Sequence, residues 1–64
     1  MNDVEIIGLI LSDNEKRYPV GWNKETKAVC YSKEAGDIIW KYIGQFATTE
    51  REAMFYAKEY ISRL

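Results

Sequence analysis

The sequence predicts an α+β fold: a small antiparallel sheet of three to four strands packed against one C-terminal helix at about residues 49–63. Two observations predict it. Up to residue 46 the large apolar side chains fall in short β-branched and aromatic stretches, separated by polar clusters with turn chemistry. Beyond residue 47 the apolar period changes from that of a strand to that of a helix. The chain has 64 residues, enough for a single domain spanning 1–64, and its apolar fraction of 47% argues against disorder.

Residues 4–11, "VEIIGLIL", read as a first strand, because Gly8 and the β-branched run disfavour a helix. "SDNEK" follows as a turn. "RYPVGWN" (17–23) alternates, with Tyr18, Val20 and Trp22 on one side and Pro19 and Gly21 on the other. Proline cannot donate to a ladder, so this second strand is expected at a sheet edge, or with Pro19 at its start. "KETK" is a polar turn, "AVCYS" (28–32) a third strand, and "KEAGD" a turn containing Gly36. The fourth strand is expected at 38–46, "IIWKYIGQF". In the last segment Ala53, Tyr56, Ala57, Tyr60, Ile61 and Leu64 fall on one helical face. Thr49 with Glu52 fits a capping box, while Thr48 as cap would place Glu50 in the first turn. Arg63 is expected in the last turn, where the helix dipole favours a cation.

The fourth segment poses the main question, because it is apolar on both faces. Strict alternation puts Ile38, Trp40, Tyr42 and Phe46 on one side and Ile39, Lys41, Ile43 and Gln45 on the other. A bulge at Gly44 would move Phe46 to the side of Ile39 and Ile43, forming an aliphatic face under the helix. Trp40 and Tyr42 would then line the opposite face, joined by Tyr31, Trp22 and Tyr18 according to register. The competing arrangement packs the helix over Trp40 and Tyr42. One of the two tryptophans is expected in the core. On the helix, Phe55 points away from the apolar stripe, with Arg51, Lys58, Glu59 and Ser62 on that side.

The composition excludes much chemistry. Nine basic residues face ten acidic ones, for a net charge of −1, which is not the basic footprint of most nucleic-acid binders. There is no histidine, the commonest metal ligand and general base. Cys30 therefore has no imidazole to activate it and reads as a small buried strand residue. Glu50 and Glu52 read as capping and solvating groups. No catalytic residue, metal site or cofactor motif is expected, and the chain is read as non-enzymatic. A single cysteine and the absence of a targeting segment point to a cytoplasmic protein without a membrane span.

At Tyr42, Ile43, Gly44, Phe46, Thr48, Glu50 and Tyr56 the chain resembles the last strand and helix of two related DNA-binding modules. These are the plant ethylene-response-factor domain and the arm-binding domain of tyrosine integrases. The resemblance implies a three-stranded sheet on one C-terminal helix, with Trp22 standing for an aromatic of an earlier strand. It also implies DNA binding by the sheet, through Arg17, Lys24, Lys27 and Lys41 on phosphates. Those families line the sheet with arginines, whereas here lysines alternate with Glu25, Glu34 and Asp37.

The expectation drawn from charge and aromatics is a small binding protein that regulates or inhibits a larger protein partner. Its contact candidates are Trp22, Trp40, Tyr42, Phe55 and Arg51. Such a chain would suit a phage or mobile element, and a homodimer is a further use of the same surface. Sheet-face DNA binding is the alternative.

Overall fold

The computed structural model describes residues 4–12, 15–33 and 37–64. The expected Gly36 turn and the Asp13–Asn14 part of the first turn lie outside the described residues. Strands β1 (Val4–Leu11), β2 (Arg17–Asn23), β3 (Ala28–Tyr31) and β4 (Lys41–Phe46) form an antiparallel meander in the order β1-β2-β3-β4. Helix α1 (Glu50–Ile61) packs on one face and touches all four strands. The expected α+β architecture is therefore present, with four strands.

The β2–β3 connection is built by Asn23. Its side-chain oxygen accepts from the backbone N–H of Glu25 (2.9 Å) and Thr26 (3.0 Å), and its carbonyl accepts from Lys27 N–H at 2.7 Å. Lys27 closes the turn in the left-handed region, at φ 69°. That backbone turn brings its ammonium over the Trp22 ring, 5.4 Å from the centroid.

The core lies between α1 and the sheet. β2 contributes Tyr18, Val20 and Trp22, β3 contributes Val29 and Tyr31, and the helix contributes Ala53, Ala57 and Ile61. Two of these helix residues are alanines, so the helix can approach closely and the large side chains come from the sheet. The Trp22 indole N–H donates to the Ala47 carbonyl at 3.0 Å, satisfying the donor that burial would otherwise strand. Tyr31 stacks edge-on with Tyr18 and against Tyr60, with centroids 6.0 and 5.6 Å apart. The wider helical stripe is only partly covered: Tyr56 is half-buried, while Tyr60 and Leu64 are exposed.

Four expectations are corrected. β2 is an interior strand, not an edge, and Pro19 is its third residue. Pro19 is tolerated because its carbonyl accepts from Ser32 N–H at the end of the β2–β3 ladder, so its missing donor falls where the ladder stops. The fourth strand begins at Lys41 rather than Ile38. The Ile39 N–H leaves the ladder and donates instead to Ser32 Oγ at 3.2 Å, and Ile39 is 70% exposed rather than core. Phe46, also placed under the helix, is 64% exposed. The irregularity at Gly44 (φ 81°) does exist, but four residues of β4 span two of β3, from Cys30↔Tyr42 to Ala28↔Phe46. An insertion of two preserves the alternation, so Phe46 stays on the side of Tyr42 and only Ile43 packs against the core. Finally, α1 ends at Ile61 and Arg63 lies beyond it; Lys58 is the cation of the last turn.

Candidate interaction face

Directly paired residues of an antiparallel sheet point to the same face. One row crosses the whole sheet away from the helix: Ile6↔Gly21, Gly21↔Cys30 and Cys30↔Tyr42. A second row includes Leu9↔Pro19, and a third places Phe46 opposite Ala28. Side chains on the two inner strands are thus small, and those on the two outer strands are large. The outer strands are separated by three strand spacings, about 14 Å.

Trp40 fills the centre. A Cβ added at Gly21 would sit 2.8 Å from two atoms of the Trp40 ring and 2.6 Å from the Val4 Cγ1. The six-membered ring of Trp40 therefore occupies the space above Gly21 that a side chain would fill, and residues 38–40 leave the sheet and carry it there. This resolves the question raised by the doubly apolar segment. The helix covers one face, and Trp40 covers the middle of the other.

Around Trp40 the face remains open. Ile6, Leu9, Leu11 (65%), Tyr42 (56%) and Phe46 are all more than half exposed. An aromatic side chain carries ~150–250 Å² of surface, so Tyr42 and Phe46 alone contribute roughly 200 Å². With the three aliphatic residues the face reaches the few hundred Å² of the largest apolar patch on a typical monomer, a patch that is often functional.

Cys30 forms part of its floor and is fully buried, as expected for a structural strand residue. Burial pushes its thiol up to about 11, partly offset by a hydrogen bond with the Gly21 backbone. A thiol held that far above neutral pH is a poor nucleophile. Burial also raises Tyr31, reinforced by its tyrosine neighbours Tyr60 and Tyr18. Among the described residues no cluster of three or more His, Cys, Asp or Glu could hold a metal ion.

No family model, curated protein or solved structure matches this chain.

The candidate residues divide between the two sides. Trp22 is 6% exposed beneath the helix and cannot meet a partner. Sequence alone could not separate it from Trp40, since both alternate correctly on apolar strands. Of the nucleic-acid candidates, Lys27 lies over Trp22, and Lys41 is opposite Tyr31, which belongs to the core face. Lys24 pairs with Glu5 at 3.3 Å, and Glu5 is itself opposite Trp22. Arg17, opposite Leu11, is left on the open face. Residues missed by sequence reasoning are Ile6, Leu9, Leu11 and Phe46. Their signal was the period-2 pattern of strand one, which places Leu9 and Leu11 together.

A second surface lies on the outer side of α1. Phe55 and Arg51 are exposed there, as expected, beside a hollow of about 420 Å³ lined by Thr49, Arg51, Glu52, Phe55 and Tyr56. Phe55 packs edge-on to Tyr56, with centroids 5.9 Å apart. A smaller hollow of about 280 Å³ is lined by Ser32, Lys33, Asp37, Ile39 and Lys41. Among the described residues no helix is long and apolar enough to cross a membrane.

Proposed function

We propose that the protein is a small binding protein without catalytic activity, a regulator or inhibitor acting by protein–protein interaction. Its contact surface is the open sheet face, with Tyr42 and Phe46 as anchors and Trp40 as the floor between them and β1. The observation that carries this reading is the open apolar face itself, on which Arg17 is the one charged residue among the described, paired strand residues. Interface cores are enriched in aromatics and depleted of charge, and that is the composition of this face.

The second reading is sheet-face DNA binding of the integrase arm-binding type. Its support is that Tyr42 and Phe46, which carry the resemblance, stand exposed on the sheet face that also carries Arg17. Against it, Lys24, Lys27 and Lys41 are engaged with, or aligned toward, the helix side, so among the described strand residues Arg17 is the one cation that phosphates approaching the open face would meet.

The test is capture of the partner by the immobilised protein, compared across variants. Tyr42→Ser with Phe46→Ser should weaken capture by about 30-fold or more, the loss of a hot spot worth ~2 kcal/mol. Phe55→Ser should leave it unchanged; if Phe55→Ser abolishes capture and the sheet variant does not, the interface is the helix and this reading is wrong. Tryptophan emission titrated with duplex DNA separates the second reading. Quenching at low salt that disappears as salt rises would establish phosphate contacts and displace the protein-binding reading.

A further inference from the structure

We propose that β1 pairs, antiparallel, with β1 of a second copy about a two-fold axis at Ile10. This joins two four-stranded sheets into one of eight strands. The inference goes beyond the partner reading and does not depend on it.

The backbone points this way. Among the described residues, β1 pairs with β2 and has no neighbour on its other side. Both polar groups of a strand residue point to the same side. The Pro19 carbonyl accepts from Ser32, so Pro19 faces β3, and its opposite residue Leu9 is not hydrogen-bonded to β2. The N–H and C=O of Leu9 therefore point outward, as do those of Leu11 two residues on. The turn bond from Ser12 N–H to Lys16 C=O agrees with this phase, since it makes Ser12 and Ile10 the inward-bonding residues. A two-fold axis at Ile10 sets Leu9 opposite Leu11 of the second copy, and Leu11 opposite its Leu9. Each of these pairs can exchange both hydrogen bonds.

The side chains fit the same axis. The triplet Leu9-Ile10-Leu11 reads identically in both directions, so antiparallel pairing sets leucine against leucine on the open face and isoleucine against isoleucine on the helix face. Natural edges are guarded by lysine, proline or bulges. β1 contains no lysine, arginine or proline, and its charge, Glu5, is held by Lys24. Its bulge lies between Ile6 and Gly8, which leaves the Leu9–Leu11 half straight and unguarded. The opposite edge, β4, is guarded by Lys41 and by the left-handed Gly44. A second copy is the occupant because the match is to the strand's own sequence. A domain of this size buries only about 60% of its unfolded surface, so a subunit contact is a common source of added stability. An edge-to-edge contact of this size is smaller than a standard interface of ~800 Å² per partner, so a weak, concentration-dependent dimer is expected.

Sedimentation equilibrium over a wide concentration range tests it. The wild-type mass should rise from monomer to dimer. Leu11→Lys replaces an exposed side chain, so the fold should persist by circular dichroism while the protein stays monomeric. Leu9→Pro deletes an outward N–H that no β1–β2 bond uses, and should also give a monomer. Tyr42→Ser with Phe46→Ser should leave dimerisation intact while removing partner capture, which separates this inference from the proposed function. A wild-type monomer at every concentration overturns the pairing. So does a folded Leu11→Lys that dimerises as wild type, or a dimer removed by the Tyr42 and Phe46 changes, which would place the contact on the open face.

Discussion

At the scale of single residues, Gly21 decides how the second face is closed. Trp40 and Val4 occupy the space a side chain would need, so Gly21→Ala must push the ring off the sheet. The expected cost is ~1–3 kcal/mol, typical of an overpacked site. Denaturant unfolding would measure it, and the penalty should shrink when Trp40→Ala is combined with it. Cys30 gives a second prediction. Its folded thiol titrates at about 11 against 9.0 when unfolded. The neutral thiol is favoured by folding, so this stability is fully present below pH 9 and is lost as pH rises toward 11. The loss should be on the order of 3 kcal/mol, at ~1.4 kcal/mol for each pH unit between the two values. Tyr31 shifts in the same direction and deepens the alkaline fall. A Cys30→Ala variant followed over the same pH range should show a shallower decline.

At the scale of elements, the helix start is the best-determined junction. The Glu52 N–H donates to Thr49 Oγ1 at 3.2 Å, and Glu52 Oε1 accepts from the Thr48 N–H at 2.9 Å and from its hydroxyl at 3.3 Å. Both threonines therefore serve: Thr49 is the cap, and Thr48 receives the returning carboxylate. Thr49→Ala should cost about 1 kcal/mol, read as a lower denaturation midpoint with unchanged slope. Thr48→Ala should cost less, because the Thr48 backbone N–H still meets Glu52. The β4 strand shows the opposite case, in which local pattern misleads. Ile38, Ile39 and Trp40 carry every mark of a strand, yet they form the strap that lays Trp40 across the sheet.

At the scale of the whole molecule, the sheet has one face closed by a helix and one closed only at its centre. This division sorts the aromatics by consequence. Tyr18, Trp22 and Tyr31 hold the core, whereas Tyr42 and Phe46 are exposed and should contribute little to folding. Tyr42→Ser with Phe46→Ser is expected to change stability by less than ~0.5 kcal/mol, the usual range for surface positions. Thermal denaturation of the double variant checks this. An unchanged transition makes any loss of partner capture a statement about binding rather than folding. The cations are sorted in the same way, since the turn at Lys27 and the Glu5 pairing draw lysines toward the helix side.

The order of elements, a threonine cap at the start of the helix and the outward direction of Phe55 were legible in the sequence, whereas the choice of Thr49 over Thr48 as the cap was not. The legible features each depend on neighbours within a few residues, where period and turn chemistry speak directly. The burial of Cys30 was legible too, because a lone cysteine without histidine has little use beyond packing. Which tryptophan enters the core was not legible. Alternation tells which residues share a face, but when both faces are apolar it cannot say which one receives the helix. The face of Phe46 turned on whether the Gly44 irregularity inserts one residue or two, a count visible only once β3 is paired with β4. The interior place of Pro19 and the seat of Trp40 on Gly21 likewise rest on contacts between strands distant in the chain. The tertiary structure alone decided these, because only the assembled sheet fixes where the ladder ends and where a ring finds a missing side chain.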